Sequence, residues 1–283
     1  MRDHPQDPQP PGSVRRSLPG AIDDGVLDAE LAGLLWALVE ARMPVIVAGP
    51  TAAERRSLRD TLVALLPTAT DVVTVDPASD ILASLPDAPG ERHVVLVAPD
   101  LTVAEASASG LDPVTARACV RAVAVGHGLA ATMEAESLES VLERLGGPPV
   151  RAGADELSWL GLVVILGVPD PLAPDPDDLG PDALRQRVVA AHWLRPVARD
   201  VHGHLQRLGP AVLATWDAPA GRWAHFAWGV MPELAMRIGR RPGDLDLDVA
   251  ARVGLLEELH RSQARDPVAL QAIAGYRPPT IAG

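Results

Sequence analysis

The chain has 283 residues, 47% of them hydrophobic, and a formal net charge of −12. That is enough apolar material for one large core or a core with a small appendage, and the carboxylate excess argues against nucleic acid as the main partner. With six Trp but only one Tyr and one Phe, the core must be built mainly from Ala, Val and Leu.

Residues 1–20 are rich in Pro, Asp and Arg and contain no apolar h-region, so they read as a disordered arm rather than a signal peptide. Leu27 to Glu40 then places Leu27, Leu31, Leu34, Leu35 and Leu38 on one side of an amphipathic helix. Met43 to Gly49 follows as a buried strand, and Leu58 to Leu66 as a helix that Pro67 stops, which leaves residues 49–57 at a strand-to-helix turn. Asp71 to Val75 and His93 to Val97 are short, β-branched and unalternating, as in parallel strands covered on both faces. Asp112-Pro113 opens a helix over 111–125. A strand at Leu129 to Met133, a helix at Glu136 to Leu145 and a strand at Leu160 to Leu166 complete an alternation that predicts an α/β fold with a mostly parallel sheet.

Residues 169–183 form an acidic, Pro-rich stretch without periodicity, read as a mobile linker. Beyond it, 184–283 reads as a C-terminal hairpin plus helical subdomain. Gln186 to Leu194, Ala211 to Trp216 and Arg222 to Trp228 supply antiparallel strands, and a helix pair spans about 247–274. Cys119 is the only cysteine and sits in an Ala/Val-rich stretch, a buried apolar position that favours the cytoplasm. Apolar runs such as Leu157 to Val168 fall short of the roughly 20 residues that span a bilayer, so any membrane role is peripheral, at the inner face. All 25 Lys+Arg residues are arginine, a bias read as genomic rather than mechanistic.

Three segments carry a resemblance. Leu34 to Thr51 leads into a glycine-bearing loop, Ala122 to Leu145 contains Gly126-His127-Gly128 followed by a strand and helix, and Pro148-Pro149 with Leu160 to Leu166 continues in register. Together they resemble the ATPase domain of the type II/IV secretion superfamily, especially the archaeal-type branch that powers archaella and type IV pili. The resemblance covers about residues 27–275 and implies a RecA-like P-loop core over 21–168. It also implies an N-terminal domain that helps to enclose nucleotide, which this chain is expected to lack.

A working phosphate loop needs glycines whose N–H groups wrap the phosphates, a lysine for the β/γ oxygens and a hydroxyl for Mg²⁺. Against the family's Walker A pattern, Gly49 and Thr51 match, Pro50 removes an N–H and Glu54 replaces the last glycine. Arg55 stands at the lysine position and Arg56 at the Mg²⁺-binding hydroxyl, with Ser57 one step late. An arginine fork can contact a phosphate, but it is not isosteric with an ammonium. Asp76 and Asp80 match the acidic box that would polarise the attacking water, although both also suit turn capping. In the Walker B strand Ala98 occupies the glutamate position, with Asp100 where the family carries arginine. His127 matches the first histidine of the His box, while Glu134 replaces the second. By itself, His127 between two glycines reads as a turn histidine held by backbone.

Other patterns have plainer readings. His202 and His204, with His192 and His225, lack the cysteine or carboxylate that would complete a metal set. Asp244-Leu-Asp-Leu-Asp248 lacks the central glycine and late glutamate of a calcium loop, so helix capping is the expectation. Trp216, Trp223, Phe226 and Trp228 form an aromatic cluster, a small core or, if exposed, a docking face.

The resemblance thus implies a degenerate, catalytically impaired secretion ATPase homologue. Its expected role is structural or regulatory, beside an active paralogue or membrane platform protein and within a homo- or hetero-oligomeric ring. Two alternatives stay open: an active ATPase using a non-standard loop, and an adaptor keeping only the fold. No cofactor is expected, with ATP and Mg²⁺ the ligands if the loop still binds nucleotide.

Overall fold

A computed structural model describes residues 16–76, 85, 94–102, 110–168, 186–199, 202, 204–264 and 266–279. The expected linker at 169–183 lies outside them. The described residues open with helix α1 (Leu18–Asp23), capped by the Ser17 hydroxyl, which accepts from Gly20 N at 3.1 Å. This helix replaces the end of the expected disordered arm: a serine cap with Pro19 in the first turn starts it, and buried Leu18 and Ala21 dock it. Helix α2 (Ala29–Glu40) is capped by Asp28 and leads to β1 (Val45–Ala48).

Helix α3 (Ala52–Val63) begins six residues before the expected helix, because Ala52 to Arg56 are all good helix formers and nothing breaks the turn after Thr51. Strands β2 (Asp71–Thr74) and β3 (Val94–Ala98) follow, then α4 (Pro113–Ala124), whose Asp112 cap agrees with the sequence signal. The chain continues through β4 (Gly128–Met133), α5 (Leu138–Gly146), α6 (Ala154–Leu157) and β5 (Leu162–Gly167). The carboxyl-terminal part supplies β6 (Arg187–Trp193), a short pair β7 (Ala198–Arg199) and β8 (Leu205–Gln206), then β9 (Ala211–Asp217) and β10 (Arg222–His225). Helices α7 (Met231–Arg237), α8 (Pro242–Arg261) and α9 (Asp266–Gly275) close the chain.

Among the described residues the central sheet has eight strands, in the order β10-β9-β6-β5-β1-β4-β3-β2. Strands β2, β3, β4, β1 and β5 are parallel, while β6, β9 and β10 add antiparallel ones. Strands of the C-terminal subdomain extend the same sheet through antiparallel β5–β6 pairing. All four β1 residues are buried, as two-sided covering requires. Val45 and Val47 face a core shared with α2, α3 and α8, whereas Ile46 and Ala48 face a second core under α4 and α5.

Helix α2 lies between the sheet and α8, which explains why nine consecutive residues, Leu31 to Val39, are buried. Gly33 permits that crossing: a Cβ there would sit 2.8 Å from Val253 Cγ2. An ion cluster pins the same helices. Asp248, 0% exposed, accepts from Arg252 Nε at 3.0 Å, from Tyr276 Oη at 2.7 Å and from Arg240. Arg252 also donates to Glu40 at 2.5 Å and lies 4.5 Å over the Trp36 ring. Asp244 does sit in the first turn of α8, but Asp248 is a buried anchor rather than the cap the sequence suggested.

Candidate functional site

Gly49 leaves the carboxyl end of β1 and donates its N–H to Met133 O at 3.2 Å. Its lack of a Cβ matters for packing, since a Cβ would meet Leu166 Cβ and Leu166 O, each at 2.9 Å. Thr51 is the N-cap of α3 by backbone position, yet its side chain makes no cap bond and instead accepts from Gln186 Nε2 at 2.6 Å. Glu54 occupies the first turn, where the helix dipole favours a carboxylate. Arg16 Nη1 donates to Glu54 Oε2 at 3.0 Å, and Arg16 Nε pairs with Asp24 at the same distance. The helix end that would attract a phosphate thus carries its own anion, already neutralised.

Arg55 turns inward. It is 1% exposed, its Nη1 donates to Gly49 O at 2.5 Å, and its Nη2 donates to Asp100 Oδ2 at 2.8 Å. The other Asp100 oxygen accepts from Thr102 N at 2.9 Å, and Thr102 Oγ1 accepts from Glu134 N at 2.8 Å. One turn along α3, Arg59 Nη1 donates to Ala98 O at 2.9 Å. Two guanidiniums from one helix face therefore tie the α3 amino end to the ends of β1, β3 and β4. Such a buried pair adds little net stability, but removing one partner leaves an uncompensated charge. Its cation faces a carbonyl and a carboxylate inside the protein, not the open side of the loop.

The remaining sequence-predicted residues are dispersed. Arg56 is exposed, and Ser57 is half-buried with its carbonyl accepting from Thr61 Oγ1 at 2.9 Å. Asp76 is exposed just beyond β2, three inter-strand steps or about 14 Å from β1. Asp80 lies outside the described residues. His127 is buried at the amino end of β4, roughly 20 Å along that six-residue strand from the loop, and its N–H donates to Ala122 O at 3.0 Å. Glu134, at the loop end of β4, is exposed. The structure thus gathers Gly49, Thr51 and Arg55, and joins to them Arg16, Arg59, Thr102 and Gln186, which motif reading passed over. Asp100 stood out in the sequence only as a motif departure; its pairing with Arg55 spans 45 residues and had no local signal.

The histidines are also separate. The His202 and His204 rings lie 6.2 Å apart, and His225 Nε2 instead meets Asp28 Oδ2 at 2.8 Å. Burial lowers the pKa of His192, against a smaller opposing effect of Glu139. No cluster of three metal-binding side chains occurs among the described residues. Burial also pushes the Cys119 thiol up to about 12, which makes it a packing residue and not a nucleophile. Trp216 and Trp223 meet edge to face at 4.6 Å, with Arg187 over Trp216 at 4.2 Å, while Trp228 remains 79% exposed. Among the described residues no helix is long and apolar enough to cross a membrane. No protein-family model matches this chain, and no curated protein matches it either.

Proposed function

We propose that this chain is a catalytically impaired homologue of the type II/IV secretion ATPases, with a RecA-like core. In this reading it acts in the cytoplasm as a structural or regulatory partner of a pilus, archaellum or secretion motor, beside an active paralogue or a platform protein. Support comes from a loop at the carboxyl end of a central parallel strand that opens a helix, the place where open α/β sheets bind ligands. The observation that carries the impairment is the Arg55–Asp100 pair. The cation that replaces lysine is held inside the fold by a carboxylate, and the Glu54 carboxylate occupies the helix end. Hydrolysis further needs a carboxylate beside the attacking water, and Ala98 and the paired Asp100 supply none there.

Titration calorimetry with Mg·ATP tests the impairment: no saturable heat is expected up to millimolar nucleotide. Saturable binding accompanied by phosphate release would overturn it. The partnership is tested by co-expression with an intact type II/IV secretion ATPase, followed by gel filtration. Co-elution at a ring-sized mass is expected, whereas separate elution of two monomers counts against it.

A further inference from the structure

At the amino ends of the strands lie two arginines, Arg42 and Arg237, that form no ion pair among the described residues. Helix α2 ends in a Schellman motif, with Met43 N donating to Leu38 O at 3.0 Å and Arg42 N to Val39 O at 2.8 Å. The left-handed position of that motif favours glycine, yet Arg42 occupies it at φ 64°. Arg42 Nε is buried without a hydrogen-bond acceptor. Arg237, the last residue of α7, lies with its guanidinium carbon 4.7 Å over the Trp159 ring, and burial lowers its pKa. Stacking of this kind fixes a guanidinium plane while leaving its edge N–H groups available. Arg42, Arg237, His127 and Trp159 line one cavity of about 240 Å³.

Among the described residues Arg16, Arg55, Arg59, Arg195, Arg240 and Arg252 each meet a carboxylate, whereas Arg42 and Arg237, like Arg117 and Arg222, form no ion pair. In a chain of net charge −12, carboxylates are not scarce. The carboxyl ends of α2, α4 and α7 all meet this cavity, and their partial charges of about one half each sum to about one and a half negative charges. Two guanidiniums exceed that by about half a positive charge.

We propose that this cavity binds a small phosphoryl anion, inorganic phosphate or a phosphomonoester, through Arg42 and Arg237 beside His127. Its size lies below the roughly 300–1,000 Å³ of pockets for drug-sized ligands, which suits a compact anion. Its cationic groups come from three separate elements, the end of α2, the end of α7 and the start of β4, so a compact anion can be met by more than one guanidinium at once.

The test is titration calorimetry of the full chain with inorganic phosphate, glycerol 3-phosphate and acetate. Saturable phosphate binding is expected, with a dissociation constant of about 1 mM or below. Binding of glycerol 3-phosphate at similar strength would identify a phosphomonoester site, and its exclusion a site for free phosphate. Arg42→Gly and Arg237→Leu should each weaken binding at least about tenfold, the loss of one charge-assisted contact. Glycine suits the backbone at residue 42, so Arg42→Gly should keep or raise the melting temperature while losing the anion. Arginines that merely neutralised helix ends would give the reverse, a lower melting temperature and no phosphate effect. That result, absent phosphate binding in the wild type, or acetate binding as tight as phosphate would overturn the proposal.

Discussion

The two ends of the parallel sheet handle arginine in opposite ways. At the carboxyl ends, Arg55 and Asp100 are both almost fully buried and neutralise each other, and Arg59 is taken up by Asp60 and the Ala98 carbonyl. At the amino ends, Arg42 and Arg237 line a cavity with His127 that, among the described residues, no carboxylate lines. The end that carries a recognisable loop is chemically closed, and the end without a motif is open. A loop's outline therefore records where a strand meets a helix, while the state of its charges decides what it can still bind.

The contrast is broken most directly by removing one charge at each end. Asp100→Ala should lower unfolding free energy by about 3–5 kcal/mol, because Arg55 would stay buried without its counter-charge. Arg237→Leu should change stability by less than about 1 kcal/mol, since it leaves no carboxylate stranded. Denaturant unfolding of both variants checks the difference, and the double variant Arg55→Met with Asp100→Leu should recover most of the loss. If Asp100→Ala cost less than about 1 kcal/mol, the loop end would not be the locked structure described above.

Local periodicity made the parallel half legible. β1 to β5 and α2 to α5 all lie within a few residues of their expected positions except α3, whose start was masked by reading 49–57 as a turn. Connectivity across distance was not legible. The Pro-rich stretch before β6 resembles an interdomain linker, yet β6 pairs directly with β5, and only the register of Val163 with His192 and its neighbours reveals one sheet. At the site, Gly49, Thr51 and Arg55 were visible as a loop. The pairing of Arg55 with Asp100, and of Arg42 with Arg237 around one cavity, depends on contacts 45 and 195 residues apart that no motif encodes. Asp248 was misread for a related reason: its acidic neighbours look like a cap, while its partners Arg252 and Tyr276 lie further along the chain.

Gly49→Ala sharpens the same comparison at smaller scale. A phosphate-wrapping glycine would be kept for the ligand, but here the close neighbours are Leu166 Cβ and Leu166 O at 2.9 Å. Alanine should cost about 1–3 kcal/mol of stability even without nucleotide, by forcing β1 and β5 apart. Leu166→Ala in the same chain should not restore it, because both contacts are to Cβ and main chain. A melting temperature unchanged by Gly49→Ala would return that residue to a purely ligand-related role.

The smallest effect belongs to a pair intermediate between the two ends, matched in charge but half-exposed. Asp28 caps α2 with Oδ1, which accepts from Leu31 N at 2.9 Å, and meets His225 of the edge strand β10 with Oδ2 at 2.8 Å. Burial disfavours the imidazolium, but the Asp28 hydrogen bond and the Asp28 and Glu30 charges outweigh it and raise the His225 pKa. A raised folded value means that folding binds a proton. The pair's stabilisation is then complete below the unfolded histidine value of about 6.5 and fades as pH climbs through the higher folded one. Solvent screening limits it to less than about 1 kcal/mol. Unfolding free energies of wild type and His225→Gln should differ most near about pH 6 and converge towards about pH 9. A constant difference across that range would mean that His225 holds β10 by neutral hydrogen bonding and packing, with no contribution from its charge.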